Sequence, residues 1–367
     1  MKKTTPSITK KISLITASVC IAIFGLASIS SAASLTNIYD FTYLDPTDIA
    51  FEGLAFTDDG TLWITSAPNA NLKDVAKDLA FGRDVELNHK LLGVDLATES
   101  VKSVSELYFD STNLGSTMFP KFDPNNVWNP IGLASDGKDL YIANNHKTSD
   151  LQSVPFVGPI IASALGPDEV FKGTIDPDTN QVTTSKDFSF PSGAIDETEG
   201  AAYLNGNLYY SGQDSNNIIE VDSTTGEITG NYDMGISMLG LGATEDSLII
   251  GDYTNHNLLL FDVVSSTVTK TISLAELFVG VDSDYHALTG EEYEVEIFDN
   301  NGYGGIRDIP SPSGIAYKDG SIYMAFEHDL RVFEISLDDT SSVPEPSTAI
   351  LLILGLVGLG FIKRRKK

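Results

Sequence analysis

The 367-residue chain has a single cysteine, Cys20, which lies near its N-terminus. One cysteine can form no internal disulfide and no cysteine-rich zinc site. Basic residues are also scarce, since 23 Lys and Arg stand against 51 Asp and Glu, for a formal net charge of −28. Such a charge repels nucleic acids and anionic lipid surfaces. It is typical of a soluble extracellular protein, and it attracts cations.

The common signatures of catalysis are missing as well. The sequence has no Gly-x-Ser-x-Gly elbow, no His-Glu-x-x-His motif and no phosphate-binding loop. Its five histidines are scattered and its arginines are few, which disfavours phosphatase chemistry. Helical periodicity is nearly absent, and its best candidate is residues 71–82. The sequence therefore assigns no catalytic residue.

The N-terminal segment has the composition of a secretory signal. Four lysines within the first eleven residues precede an apolar stretch over 12–27, and the small residues Ser30, Ala32 and Ala33 follow. This order predicts a signal peptide over residues 1–32, with cleavage after Ala32 or Ala33. Cleavage would remove Cys20 and leave no thiol. The alternative interpretation is a retained transmembrane helix.

The C-terminal segment consists of three parts. Residues 339–347 form a polar linker that contains Val343-Pro344-Glu345-Pro346, residues 348–362 are uncharged and mostly apolar, and residues 363–367 are all basic. The apolar part is shorter than the roughly 20 residues of a comfortable membrane span. The basic tail would hold its end on the cytoplasmic side. These features predict a short transmembrane or sorting segment.

The order of these three parts resembles the PEP-CTERM sorting signal. In that family an exosortase handles the signal in Gram-negative bacteria whose envelope biology involves exopolysaccharide. The resemblance implies export across the inner membrane, contact with the membrane in transit, and an exosortase-type processing enzyme as a partner. The final location is then periplasmic, cell-surface or extracellular. An ordinary C-terminal anchor is the alternative.

A repeat occurs five times between the termini. Each copy has a glycine, a short strand of small apolar residues, a polar turn and a second strand that opens on Leu or Ile, eight residues after the glycine in four copies and nine in the first. The glycines are Gly53, Gly132, Gly200, Gly240 and Gly314. Four copies continue with a second hairpin, marked by an Asp six residues before an aliphatic residue: Asp95/Val101, Asp176/Val182, Asp222/Ile228 and Asp262/Val268. Each unit therefore has four predicted strands.

The fifth unit has only a third strand, 330–336, after its first hairpin. The N-terminal segment 35–43 has no local partner and is similar to the fourth strands of units three and four. A ring that the N-terminal strand closes accounts for both facts. The prediction is an all-β fold over residues 33–338, a β-propeller of five four-stranded blades. The count becomes six if 274–312 contains a degenerate blade around 293–299. The pattern resembles the NHL-repeat, gluconolactonase-like and phytase-esterase-like propellers.

A candidate cation site follows from this architecture. First strands line the channel of a propeller, so residues before the repeat glycines and after the second strands converge at one mouth. Oxygen ligands suit Ca²⁺ or another divalent cation, and the predicted metal set is Glu52, Asn144, Glu199 and Asp252. Gluconolactonase-like propellers hold a metal with an inner-strand Glu, and Glu52 matches that position. The alternative interpretation is that these side chains cap strand ends and bind channel water.

A second candidate site would bind a larger ligand. Aromatic rings with Asn and Asp side chains suit sugars, and residues at the same mouth include Trp128, Asn129, Asn145, Gln213, Asp214 and Glu327. Trp63, Tyr209 and Tyr323 lie on second strands and are predicted to pack between blades. The leading hypothesis is a secreted or surface propeller that binds a partner or polysaccharide in the extracellular, exopolysaccharide matrix. The alternative is a metal-dependent hydrolase or lactonase of the same fold.

Overall fold

The structure is a computed structural model that describes residues 33–44, 51–66, 86–110, 129–145, 168–191, 194–195, 198–212, 215–278, 282–283, 295–296, 312–326 and 330–337. Ala33–Leu337 forms one compact unit. Its secondary structure is almost entirely β, as the repeat predicts.

Five four-stranded antiparallel sheets make up this unit. The N-terminal strand β1 is Ser34–Asp40. The first blade contains β2 Phe51–Phe56, β3 Leu62–Ser66, β4 Glu86–Asp95 and β5 Ser100–Asp110. The second contains β6 Pro130–Ser135, β7 Asp139–Asn144, β8 Glu169–Ile175 and β9 Val182–Ser189.

The third and fourth blades follow with short connections. The third contains β10 Thr198–Leu204, β11 Asn207–Gly212, β12 Asn217–Asp222 and β13 Ile228–Asp233. The fourth contains β14 Met238–Ala243, β15 Leu248–Asp252, β16 Asn257–Asp262 and β17 Thr267–Ser273, and the one-turn helix α1, Leu274–Leu277, ends it.

The fifth blade is assembled from both ends of the unit. A two-stranded ladder precedes it, β18 Asp282–Ser283 with β19 Val295–Glu296. Its first three strands are β20 Pro312–Lys318, β21 Ser321–Phe326 and β22 Arg331–Ser336, and its fourth is β1. The described part of 274–312 contains no further four-stranded sheet, so the propeller has five blades.

Closure of the ring by the N-terminal strand is confirmed. Strand β1 pairs antiparallel with β22, from Ser34 opposite Ser336 to Asp40 opposite Arg331. The two faces of β1 do not alternate strictly along the strand, because the register shifts at Thr36. As a result Leu35 and Ile38 both pack on the cluster between the fourth and fifth blades.

Two blades share a side-chain arrangement, the Tyr–Glu–Tyr clasp, that joins their second, third and fourth strands. In the third blade, Glu220 accepts hydrogen bonds from Tyr209 (3.1 Å) and Tyr232 (2.8 Å). In the fifth, Glu334 accepts one from Tyr39 (2.7 Å) and also interacts with Tyr323. Burial and Glu220 raise the pKa of Tyr232 to about 12, so its hydroxyl keeps its proton. The N-terminal strand therefore makes the contacts of an ordinary fourth strand.

The repeat glycines lie where neighbouring first strands approach most closely. A Cβ at Gly240 would meet the Pro312 carbonyl of the next blade, and one at Gly314 would meet the Glu52 carbonyl of the first blade. The first strand of each blade contacts that of the next, and β20 contacts β2, which closes the circle. Glycine is needed at these two positions because a side chain there would push two blades apart.

Apolar clusters fill the junctions between blades. Trp63 packs with Leu133 and Phe171 of the second blade. Tyr209 packs with Leu241 of the fourth blade, and Tyr323 packs against the cluster of the fifth and first blades. The prediction that these three aromatic residues pack between blades is confirmed.

The repeat aspartates begin the turns between third and fourth strands. The carboxylate of Asp222 accepts hydrogen bonds from the backbone N–H groups of Thr224 and Thr225, both at 2.9 Å. These bonds hold the pKa of Asp222 below its ordinary value, and backbone bonds do the same for Asp176 and Asp262. A carboxyl group whose pKa is lower in the folded than in the unfolded protein stabilises the fold at pH values above its unfolded-state pKa.

We therefore expect the triple variant Asp176→Asn, Asp222→Asn, Asp262→Asn to lose part of the acid sensitivity of the wild type. Stability from these groups is present above about pH 4 and is lost as pH falls through their lower folded-state pKa values. Asn keeps an acceptor oxygen for the turn but does not titrate. Calorimetric melting temperatures from pH 6 to pH 2.5 should fall less steeply in the variant. Melting temperatures that fall equally steeply with pH in the variant and the wild type would contradict the role assigned to these carboxylates.

Candidate functional site

The two ends of the central channel differ in their connections. At the mouth the first strands begin and the second strands end, as in the pair Pro130 with Asn144. At the opposite end, here called the turn end, first and second strands are joined by short turns such as Asn205–Gly206. The long connections, around 67–85, 111–128, 146–167 and 279–311, leave strand ends on the mouth side.

The turn end has a small cavity that is partly open to solvent. Its volume is about 80 Å³, and first strands of all five blades line it, including Phe56, Tyr203 and Tyr317. This is well below the roughly 300–1,000 Å³ of small-molecule pockets, but it accommodates ordered water. This cavity is therefore too small to enclose a sugar ring.

The mouth ends of the first and second strands are acidic. The ten first and second strands are fully described and carry one basic residue, Lys318, which lies at the turn end of β20. Carboxylates of Glu52, Glu199 and Asp252 lie at the other end of these strands, and all three residues are buried. The described first and second strands thus bring acidic and not basic side chains to the mouth.

Four of the predicted site residues lie close together at the junction of the second and third blades: Asn129, Asn144, Asn145 and Glu199. The backbone N–H of Asn129 donates to Asn144 Oδ1 (2.8 Å), and that of Asn145 donates to the Asn129 carbonyl (2.9 Å). Asn145 Nδ2 then donates to Glu199 Oε1 at 3.1 Å. Both asparagine side chains are thus fixed at the edge of the mouth.

Asp168 and Thr198 belong to the same group, although the sequence did not indicate them. Asp168 Oδ2 accepts a hydrogen bond from the backbone N–H of Thr198 at 2.8 Å, across the junction of the second and third blades. Thr198 is 0% exposed, and its hydroxyl has no hydrogen-bond partner in the part of the chain that the structure describes. Asp168 lies directly before β8, the third strand of its blade. Its contact with Thr198 depends on how the second and third blades pack, which the sequence does not indicate.

The turn after β15 presents an aromatic ring at the mouth. Tyr253 is 39% exposed, and its backbone N–H donates to the Ser237 carbonyl (3.0 Å). Thr254 Oγ1 accepts from the Ser237 N–H (3.1 Å), so two bonds fix the turn to the preceding segment. The ring of His256 lies edge-on at 6.2 Å. Burial lowers the pKa of His256, so this imidazole is neutral at neutral pH.

Asp252 is occupied by contacts within this turn. Its two carboxylate oxygens accept from Asn255, one from the backbone N–H (3.0 Å) and one from Nδ2 (2.9 Å). Within the described residues, no three His, Cys, Asp or Glu side chains form a group able to hold a metal ion. The described groups of the set Glu52, Asn144, Glu199 and Asp252 thus do not assemble a cation site by themselves, and that set stays a prediction.

Several predicted residues lie outside the described part of the chain. They are Trp128, Gln213, Asp214, Glu327 and the motif Val343-Pro344-Glu345-Pro346. The predicted signal peptide, 1–32, and the segment 348–362 lie outside it too. Where the structure does describe the chain, it has no helix of the length and apolarity that a membrane crossing requires.

Comparison with solved structures supports the fold. The crystal structure of Myxococcus xanthus glutaminyl cyclase aligns with a TM-score of 0.50 and 16% identity over 84% of this chain and 97% of that chain. A luciferin-regenerating enzyme aligns with a TM-score of 0.40 and 12% identity, over 82% of this chain and 95% of that chain. A PQQ-bound aldose sugar dehydrogenase from Streptomyces coelicolor aligns with a TM-score of 0.38 and 9% identity, over 83% of this chain and 98% of that chain. Only the first likeness is close enough to use, and it shows the fold alone.

The C-terminal segment gives the clearest match. No curated protein sequence matches the chain. A family model described as the PEP-CTERM protein-sorting motif matches residues 342–367, which confirms the resemblance seen in the Pro-Glu-Pro, apolar and basic parts. This signal indicates export across the membrane in Gram-negative bacteria and is a substrate signal for exosortase processing. The protein is therefore a five-bladed β-propeller that carries a PEP-CTERM sorting signal.

Proposed function

We propose that the protein is a secreted or surface-held binding module that takes polysaccharide of the extracellular matrix at the mouth of the propeller. The observation that carries the proposal is the exposed ring of Tyr253 at the mouth, on a turn that two hydrogen bonds join to Ser237, one from the Tyr253 N–H and one accepted by Thr254 Oγ1. A fixed aromatic ring can stack on the apolar face of a sugar at a small cost in conformational entropy.

Hydrogen-bonding groups suited to sugar hydroxyls lie at the same end of the propeller. The amides of Asn145 and Asn255 and the carboxylate of Glu199 are held in fixed positions by their contacts. Fixed polar groups of both donor and acceptor type give orientation and specificity to a binding site. The sorting signal supports the same function, because it takes the propeller out of the cytoplasm to where such polymers are found.

Binding of the full chain to soluble polysaccharides, measured by calorimetry, tests this proposal. Replacing Tyr253 with Ala should weaken binding by about 2 kcal/mol, or about 30-fold in Kd, as expected for an aromatic anchor. Tyr43→Ala is the matched control, since Tyr43 is 62% exposed but contacts the Glu99 carbonyl of an outer turn. Equal losses in the two variants would overturn the proposal.

The same protein preparation tests the hydrolase or lactonase alternative. Ester and lactone substrates are supplied with and without Ca²⁺, Mg²⁺, Mn²⁺ and Zn²⁺. We expect no metal-dependent turnover. Turnover that needs a metal and disappears in Glu52→Gln would replace the binding function with a catalytic one.

A further inference from the structure

Both ends of the propeller unit lie at its turn end. Ser34, the first residue of β1, is paired with Ser336, the last residue of β22. Ser336 is also paired with Ser321, which directly follows the turn 319–320 between β20 and β21. The chain before residue 33 and the chain after residue 337 therefore leave the propeller from neighbouring strand ends, opposite the mouth.

The other connections at the turn end are short turns. Strands β2 and β3 are joined by 57–61, β12 and β13 by 223–227, and β20 and β21 by 319–320. The connections within the unit that extend outside the described residues, such as 146–167 and 297–311, all begin and end at strand ends of the mouth. Among the segments outside the described residues, only the two terminal ones continue from the turn end.

Both terminal segments have the composition of segments that enter a membrane during export. Residues 12–27 are mostly apolar and follow four lysines, and residues 348–362 are uncharged and precede a basic tail. Because Ser34 and Ser336 are paired, the propeller has the same orientation whether the first segment, the second or both hold it. Strand β22 has six residues, so its mouth end lies about 17–20 Å from the point of attachment.

We propose that the terminal segments hold the propeller by its turn end during sorting, so that this end is directed toward the membrane and the processing enzyme, and the mouth is directed away from both. The mouth is then open to a ligand before the chain is released. The inference goes beyond the proposed polysaccharide binding and does not depend on it, since it follows from the points at which the chain enters and leaves the propeller.

The charge of the turn end excludes lipid affinity as the cause of this orientation. The turns between first and second strands carry acidic residues in four blades: Asp58, Asp136, Glu245 and Asp319. Of these turns only that of the second blade also carries a lysine, Lys138, while Lys318, at the end of β20, lies over the ring of Phe56. The turns between third and fourth strands carry no basic residue. Anionic lipid repels such a face, so the chain connection has to bring it to the membrane.

Fluorescent labels on single cysteines of the full chain measure the orientation. Cys20→Ser removes the native thiol. Val264→Cys and Glu227→Cys then label the turn end of the fourth and third blades, and Tyr253→Cys and Asp233→Cys label the mouth of the same blades. All four residues are exposed, so each pair compares the two ends of one blade. The second pair still gives the answer if a variant of the first fails to fold.

Vesicles of phosphatidylcholine that contain a head-group nitroxide lipid quench each label according to its distance from the bilayer. A water-soluble nitroxide corrects for differences in exposure. Per vesicle-bound chain, we expect each turn-end label to be quenched at least about twofold more strongly than the mouth label of its blade, because roughly 20 Å separates the two ends. Anionic phosphatidylglycerol should weaken the quenching at the turn end at low salt, and added salt should restore it.

The other outcomes each contradict the inference. Equal quenching at the two ends, or stronger quenching at the mouth, overturns the orientation. Turn-end quenching that rises with anionic lipid and falls with salt means that lipid contact sets the orientation, which overturns the role of the chain connection. A full chain that does not associate with the vesicles overturns the holding by the terminal segments. Glycan binding is decided separately, by the calorimetry of Tyr253→Ala, so failure of one proposal leaves the other standing.

Discussion

Deleting residues 33–43 is expected to unfold the whole propeller and not merely to loosen one blade. The deleted segment supplies the fourth strand of the fifth blade and the fully buried ring of Phe41. Burial of such a ring contributes about 1.5–3 kcal/mol, and each cross-strand pair adds roughly 0.2–1 kcal/mol. The total loss of about 5 kcal/mol or more is comparable with the entire stability of a typical domain, about 5–15 kcal/mol.

The measurement is thermal unfolding followed by near-ultraviolet circular dichroism. Loss of the transition, or a single transition at least about 10 °C lower, is expected. Adding a synthetic peptide of residues 33–44 should restore the transition, because the missing strand pairs with β22 through the backbone. A wild-type melting curve for the deleted protein would show that the ring does not depend on this strand.

A smaller variant isolates the clasp within the closing strand. Tyr39→Phe removes one hydrogen bond to a charged acceptor, which is worth about 1.5–3 kcal/mol at most and less at a half-buried site. Tyr232→Phe removes the equivalent bond to Glu220 in a blade whose four strands are continuous in sequence. The Tyr39 variant should lose more stability than the Tyr232 variant, because no turn joins β1 to β22, the strand beside it.

The sequence was sufficient to predict the ring because its repeat is mostly local. A glycine, a polar turn and an aliphatic residue at fixed spacing define a hairpin, and five copies define the blades. The unpaired first strand and the incomplete fifth unit indicated closure, which the pairing of β1 with β22 confirms. The predicted packing of Trp63 between two blades also holds, because second strands face a neighbour on each side.

The details that escaped prediction depend on contacts between distant segments. The register shift at Thr36 places Leu35 and Ile38 on one face, which no alternation pattern indicates. The bond from Thr198 to Asp168 joins residues 30 positions apart that belong to different blades. A site at blade junctions is set by how sheets approach one another, and a single sequence contains little information on that.

The second large effect is expected at the repeat glycines, and Gly240→Ala is the sharpest case. The new methyl group would collide with the carbonyl of Pro312 and lie 2.8 Å from that of Ser313, both in the backbone of the next first strand. Backbone of a neighbouring blade cannot rotate away as a side chain does, so the blades must separate. Overpacking of this kind costs about 1–3 kcal/mol, and we expect the upper part of that range, or roughly 5–10 °C in melting temperature.

Gly132→Ala is the matched control at the same repeat position. Its methyl group would lie 3.0 Å from Ala201 N and 3.1 Å from Ala143 Cβ, which requires shifts of only a few tenths of an ångström. Replacing a strand glycine with Ala also stabilises by about 0.5–1 kcal/mol through the unfolded chain, which offsets this crowding. The control should therefore melt within about 3 °C of the wild type. If Gly132→Ala proves as damaging as Gly240→Ala, the cause is something other than the approach of neighbouring strands, and the role assigned to the repeat glycine is wrong.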